Sequence, residues 1–202
     1  MKKLIVAALV LLTLSSCKDT KENKTTSAPA STYQLSTDTA SVNWIGYKFT
    51  DKAGVKGQFK SITIKNANSA ASINEALQGV SFSIPVSSLF TNNDVRDNKL
   101  KSIFFGVMKN TELLEGTVKT VTDNGGLIAL TMNGETHDLP FTTQKQNNTL
   151  YLGSELDLKT WNAQEALASI HKACEILHTG ADGVSKTWDT VTIDVTLNFI
   201  KG

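Results

Sequence analysis

Strict alternation of apolar and polar residues at period two restricts this chain more than any other feature. The cleanest run comes last, with Val191, Ile193, Val195, Leu197 and Phe199 set against Thr192, Asp194, Thr196 and Asn198. Successive strand side chains point to opposite faces, so such a run reads as a strand buried on one face and solvated on the other. Ser41–Phe49, Gly57–Lys65, Val80–Val86, Glu112–Val121, Leu127–Met132, Thr136–Thr142 and Leu150–Leu158 read the same way, which makes eight candidate strands. Pro85 and Pro140 lack the N–H that a ladder needs, so each is expected at an edge or a bulge. Asn124-Gly125 and Asn133-Gly134 predict type I′ hairpins, because both central residues of that turn require positive φ.

Eight antiparallel strands closed into a barrel leave no open edge. Such a barrel is wide enough either to fill itself with side chains or to hold one small elongated ligand. A two-sheet sandwich produces the same alternation. A short helical connection is predicted at Ile73–Gln78, closed by Gly79. One longer helix is predicted over Asn162–His178, with Asn162 as N-cap, Glu165 three residues on, and Ala163, Ala166, Leu167, Ile170, Ala173, Cys174 and Leu177 on one stripe. Its expected place is against the barrel or across its mouth.

The first residues belong to a different class of segment. Lys2-Lys3 followed by the apolar run Leu4–Leu14 has the form of a signal peptide, too short for a permanent span. Leu14-Ser15-Ser16-Cys17 then resembles a bacterial lipobox, so residues 1–16 are expected to be removed and Cys17 lipidated. Several acyl chains on one cysteine anchor a protein stably where a single chain does not. Residues 18–32 are rich in Lys, Thr, Ser and Ala without apolar period, and predict a flexible tether with ends about 20 Å apart. Lys18-Asp19 resembles a surface-sorting signal and favours the outer membrane over the inner one. The folded domain is expected over 33–202.

Composition excludes several functions. Removing Lys2 and Lys3 leaves 18 basic residues against 19 acidic ones, which is no nucleic-acid footprint. Two cysteines make no disulfide framework, and Cys174 on the helix stripe reads as a buried, inert thiol. The chain lacks His-Glu-x-x-His, Gly-x-Ser-x-Gly, a Gly-rich phosphate loop and Cys-x-x-Cys, so neither an enzyme nor a cofactor is expected. His171, Glu175 and His178 share a helix edge, but polar residues commonly flank an apolar stripe, and no metal site is assigned. His137 and the adjacent Asp138 point to opposite strand faces and form no dyad. Trp44, Trp161 and Trp188 read as core or rim packing.

The stretch Ser87–Asn110 parts two sets of strands and carries the only arginine, Arg96. A guanidinium holds several oxygens at once, which a lysine does not. Arg96, with Asp97 beside it, either ties a loop to backbone carbonyls or lies at the mouth of a cavity with Leu100, Phe104 and Phe105 facing in.

Ser88-Leu89-Phe90-Thr91, Arg96-Asp97, Leu100, Ser102 and Phe104-Phe105, with Leu130-Thr131-Met132-Asn133-Gly134, Thr136, and Gly57-x-Phe59, resemble the pattern of the YceI-like family over about Tyr33–Phe199. Two features depart from it. The family's hairpin commonly carries His where Asn133 stands, and the Trp161–Trp188 block with its long helix lies outside the pattern. The resemblance implies a mainly β, eight-stranded antiparallel lipocalin-like barrel, and binding of a polyisoprenoid or similar lipid without catalysis. The inward faces would supply Phe82, Ile84, Leu130, Met132, Ile193 and Val195 to that ligand, with Leu100, Phe104 and Phe105 above it. An interaction module with a side-chain-filled barrel is the alternative.

Overall fold

The computed structural model describes residues 31–202, so the expectations for the signal peptide, Cys17 and nearly all of the tether lie outside the described residues. Within them the architecture is mainly β, a curled antiparallel sheet with few helices. Its strands are β1 (Tyr33–Leu35), β2 (Ser41–Lys48), β3 (Ala53–Phe59), β4 (Thr63–Lys65), β5 (Ser81–Pro85), β6 (Leu89–Phe90), β7 (Leu113–Thr122), β8 (Gly125–Met132), β9 (Glu135–Gln146), β10 (Thr149–Asp157) and β11 (Thr190–Lys201). The hydrogen-bonded order is β4-β5-β7-β8-β9-β10-β11-β2-β3-β6, and β1 pairs with β11.

Eleven strands replace the eight expected, because β1 and β6 are too short for periodicity to register and one predicted strand is split in two. The single strand predicted over Gly57–Lys65 begins earlier, at Ala53, and is broken between Phe59 and Thr63. The strand predicted over Val80–Val86 ends at Pro85, after which Val86–Ser88 forms one 3-10 turn leading into β6. β6 pairs with β3 through Phe59↔Leu89, and β5 pairs with β4 through Ile64↔Phe82. Pro140 sits within β9 opposite Leu127 of β8, while the β9–β10 ladder runs only as far as Thr142. Its missing N–H therefore costs no ladder bond on that side.

The two Asn-Gly hairpins differ. Asn133 (φ 53°) and Gly134 (φ 72°) make the two-residue loop predicted for them, between Met132 and Glu135. At the other, Thr122 pairs with Gly125, so Asp123-Asn124 form the loop and Gly125 opens β8. There Gly125 is needed for close approach, since a Cβ would lie 2.1 Å from the Phe141 carbonyl oxygen.

Helix α1 (Ile73–Leu77) forms as expected, with the Ser72 hydroxyl accepting from the Glu75 N–H at 3.2 Å. Helix α2 (Asp94–Lys99) is capped by the Asn93 side chain and continues through a π turn, Leu100–Phe104, into a 3-10 turn, Phe105–Val107. Helix α3 covers only Gln164–Ala173 of the predicted 162–178. Asn162 is not its N-cap; it adopts a left-handed conformation that ends the preceding 3-10 turn, Leu158–Trp161. The far end also stops early, so Ile176 and Leu177 are 89% and 60% exposed, and Leu177 leaves the buried stripe.

Two apolar clusters fill the sheet, fed by opposite ends of the same strands. One joins Val118, Phe141, Leu150, Leu152, Leu197 and Phe199 to Leu35 of β1 and to Ile73, Ala76 and Leu77 of α1. The other joins Leu130, Met132, Leu139, Leu156 and Leu158 to Met108, Trp161 and Ala166. Within the second, Trp161 is 1% exposed and its indole N–H donates to the Leu130 carbonyl at 3.0 Å, which makes this tryptophan core packing.

Candidate functional site

At the end of the sheet away from α1 there is a cavity of about 480 Å³ with a mainly apolar wall. Strands supply one side through Trp44, Val55, Met132, Leu156, Val191 and Ile193. The segments over the mouth supply the other, through Arg96, Leu100, Phe104 and Phe105 on one side and Leu167, Ile170 and Cys174 on the other. Rings seated over glycines shape the strand wall. A Cβ on Gly57 would fall 2.1 Å from the Trp44 ring, which lies across β3 at that point. Gly116 receives the Phe82 ring in the same way, at 2.5 Å.

The structure gathers six of the predicted site residues in this wall: Arg96, Leu100, Phe104, Phe105, Met132 and Ile193. Four others lie elsewhere. Phe82 is spent on covering Gly116, Ile84 and Leu130 are buried in side-chain packing, and Val195 packs against the α1 cluster. The alternation identified their inward face correctly but carries no information on how far along the strand the hollow begins. Trp44 and Trp188, expected as core or rim packing, line the cavity, as do Val55 and Leu89, to which the sequence assigned no ligand role. Gly57 opposite Trp44 was the available signal, since a glycine inside a strand marks a close approach.

Arg96 is held by loop oxygens, as the first of its two readings required, and it also reaches the cavity. Its Nε donates to the Thr91 hydroxyl at 2.8 Å and its Nη2 to the Thr91 carbonyl at 2.9 Å. The Thr91 hydroxyl in turn donates to the Asp97 carboxylate at 2.5 Å, and the Thr91 N–H donates to the same oxygen at 2.9 Å. Asp97 is therefore a buried brace behind the wall. Thr91 couples it to the arginine, so the one charged pair of this segment communicates through a hydroxyl. The T-shaped Phe104–Phe105 pair, with ring centroids 4.9 Å apart, lies about two turns further on.

The far side of the mouth is tied down by lysines. Lys99 Nζ donates to the Ala173 carbonyl at 3.1 Å, linking α2 to the end of α3, and Lys48 Nζ donates to the Leu177 carbonyl at 3.1 Å. Cys174 is buried beside Lys99, with Sγ 3.9 Å from Nζ. His171 and His178 converge on the Thr187 hydroxyl at 3.0 and 2.6 Å. Burial, then the charges of Lys48, His171 and Lys99, lower the pKa of His178 below its ordinary value. No group of three or more potential metal ligands occurs among the described residues. His137 pairs with Glu135 at 2.8 Å and meets Trp161 edge-on, whereas Asp138 pairs with Lys119.

Trp44 is 8% exposed and its indole N–H has no partner among the described residues. Trp188 differs, since its N–H donates to the Phe49 carbonyl at 2.8 Å. Asn133, at the position where the family's His stands, bonds the Trp161 and Asn162 carbonyls through Nδ2 at 2.9 and 3.1 Å. It fastens the β8–β9 hairpin to the turn before α3 and does not enter the cavity wall.

Similar folds occur in solved structures. A polyisoprenoid binding domain from Saccharophagus degradans implicated in plant cell wall breakdown superposes with a TM-score of 0.56 at 13% identity, covering 84% of this chain and 98% of its own. BcnA of Burkholderia cenocepacia superposes with a TM-score of 0.52 at 14% identity, covering 81% and 98%. At these identities the likeness shows the fold alone. No curated protein matches the sequence. The YceI-like domain model matches residues 33–199, nearly all of the described chain, and the protein belongs to the YceI-like domain family.

Proposed function

We propose that this protein is a lipid-binding lipoprotein of the cell envelope, which holds a polyisoprenoid or similar long-chain amphiphile in the cavity beneath Phe104 and Phe105. The observation that carries this reading is the apolar hollow of about 480 Å³, within the roughly 300–1,000 Å³ usual for small-molecule sites. The polyisoprenoid-binding description of the Saccharophagus degradans relative supports the same ligand class. A filled interior would have favoured an interaction module instead. Burying about 300 Å² of ligand at about 25 cal/mol per Å² contributes roughly 7–8 kcal/mol before association entropy is subtracted, so tight retention requires a longer chain or a preformed channel. No catalysis is assigned to the site.

The sheet is proposed to act as a closed eight-stave barrel. In this reading β3 and β4 form one stave interrupted at residues 60–62, and β5 and β6 form its neighbour interrupted at residues 86–88. Support comes from the Lys60 N–H, which donates to the Ser88 carbonyl at 3.0 Å across the two interruptions. The lipobox ending at Cys17 and the tether after it would hold the barrel at a membrane, the outer one by preference.

Organic extraction of the purified protein followed by mass spectrometry tests the carrier reading. A copurifying long-chain lipid is expected, and a lipid-free protein that takes up no prenyl chain overturns it. For the anchor, Cys17→Ala is expected to leave unlipidated precursor outside the membrane fraction. Acyl labelling that persisted in that variant would remove the lipobox argument.

A further inference from the structure

Val95 and Leu177 line the cavity and are nevertheless mostly exposed, so they mark where it opens. Val95 belongs to α2 and Leu177 to the turn after α3, the two segments that span the mouth. Ile176, the most exposed large apolar residue of the described chain, stands beside Leu177. Val184 joins them from the following loop. The Gly180 N–H donates to its carbonyl at 3.0 Å and the Ser185 hydroxyl donates to the Glu175 carbonyl at 2.9 Å, which folds residues 180–185 back against the end of α3. Scattered apolar residues on a surface need no explanation, but a group of them rimming an apolar hollow marks a surface that meets a partner.

The polar residues of the rim indicate which partner. Lysines lie over aromatic rings here: Lys48 Nζ is 4.3 Å from the centre of the Phe49 ring, Lys52 Nζ is 4.8 Å from that of Tyr47, and Lys186 Nζ is 5.1 Å from that of Trp188. Tyr47 and Trp188 also line the cavity, which places this belt at the opening. Lysine is depleted from protein–protein interfaces. Half-buried Tyr and Trp with lysine stems laid along them are instead the composition of a membrane–water interface. Asp51, Glu175 and Asp182 are exposed among these lysines, so the rim lacks the one-sided positive charge of a surface built for anionic lipids. Its apolar residues therefore have to supply the attraction.

We propose that the rim of the cavity docks on a lipid bilayer, with Val95, Ile176, Leu177 and Val184 set among the acyl chains and Lys48, Lys52 and Lys186 at the level of the head groups. A ligand chain then passes between bilayer and hollow without exposing its apolar length to water. That consequence rests on the carrier reading; the docking itself does not. Tyr33 pairs with Lys201 at the other end of β11 from the mouth. Fully extended, the chain from Cys17 to Tyr33 reaches roughly 55 Å, against about 40 Å for the 12 residues of β11, so an anchor at Cys17 permits the mouth to meet the same membrane.

The test uses the full chain reconstituted in phosphatidylcholine vesicles, with an environment-sensitive fluorophore attached through Ile176→Cys or, for comparison, through Ile200→Cys, an exposed apolar position at the packed end. The parent chain treated with the same fluorophore supplies the background from Cys174. Nitroxide lipids labelled near the head group are expected to quench the Ile176→Cys label at least about twofold and to leave the Ile200→Cys label unchanged, because docked side chains lie about 5–10 Å into the head-group boundary. Adding Leu177→Asp/Val184→Asp, at two exposed positions, is expected to abolish the quenching with the thermal melt unchanged, and raising salt to about 0.5 M is expected to leave it intact. An unquenched Ile176→Cys label overturns the proposal. Equal quenching of both labels means that the chain is merely held near the bilayer, and overturns it as well. Quenching that survives the double aspartate variant, or that salt abolishes, removes apolar insertion as the cause and has the same result. Cross-linking of Ile176→Cys to a second copy, in place of quenching, assigns the rim to self-association. Quenching at Ile176→Cys in a protein that yields no lipid on extraction removes the carrier reading and leaves the docking standing.

Discussion

Leu150 and Leu156 lie on one face of one strand, yet they end in different surroundings. Leu150 is 2% exposed in a close-packed cluster with α1, while Leu156 borders the hollow. The strands are common to both ends, and what differs is the element laid across each. At the packed end β1 and α1 send Leu35, Ile73 and Leu77 between the strands. At the other end α2 and α3 span the mouth, cross-tied by Lys99, and leave the space beneath open. Atoms facing a void forgo dispersion contacts, so the hollow costs stability that the packed end offsets. A curled sheet of this kind is a folding core at one end and encloses a hollow at the other.

Truncation should separate the two ends most sharply. Leu77→Ala is expected to cost about 2–5 kcal/mol in urea unfolding, because it opens a new cavity in a filled cluster. Leu100→Ala, in a wall that already borders space, is expected to cost clearly less; equal losses would mean that the hollow end carries as much of the folding energy. Arg96→Ala comes next, at about 1–3 kcal/mol through the lost charge-assisted bonds to Thr91. A melt that overlaid the parent would show that the arginine braces nothing and serves the ligand alone.

Enlargement sharpens the same contrast in the opposite sense. Leu150→Phe at the packed end is expected to cost about 1–3 kcal/mol, whereas Ile193→Phe at the hollow end should change stability by less than about 1 kcal/mol and reduce the copurifying lipid. If Ile193→Phe destabilised as much as Leu150→Phe, the wall would have no room to give.

The smallest effect concerns pH. Because the folded pKa of His178 lies below its ordinary value, the unfolded chain binds the proton more readily, and stability rises with pH through this group. Its contribution is complete above the ordinary histidine range and is lost as pH falls through that range toward the lowered value. His178→Gln is expected to flatten the stability profile there, as read from melting curves in steps of pH. A slope unchanged in the variant would assign the acid sensitivity elsewhere.

Asn133-Gly134 was readable because positive φ at two successive residues is a local demand that few pairs satisfy. Asn124-Gly125 was misread for a related reason: which two residues occupy a loop depends on the register of the strands it joins, and that register answers to Gly125 passing the Phe141 carbonyl. The helix over 162–178 was overextended because Leu177 fits the apolar stripe, although the chain turns after Ala173 to place Leu177 at the mouth. Phe82 and Val195 were assigned to the ligand because they face inward, and inward-facing residues alike line the packed core and the hollow.

What the residues by themselves determined is the face each strand buries, the hairpin at Asn133-Gly134, the short helix beginning at Ile73, and the character of the Arg96 segment. These follow from periodicity, steric limits on φ and local hydrogen bonding, all of which act over a few neighbouring positions. Tertiary structure alone decided where the interior is full and where it is empty. That depends on whether α1 or the α2 and α3 segments cover a given end, and on Trp44 meeting Gly57 across two strands. Lys48, Arg96 and Lys99 came to one mouth for the same reason, since contacts between residues distant in the chain are set by packing and leave no local trace.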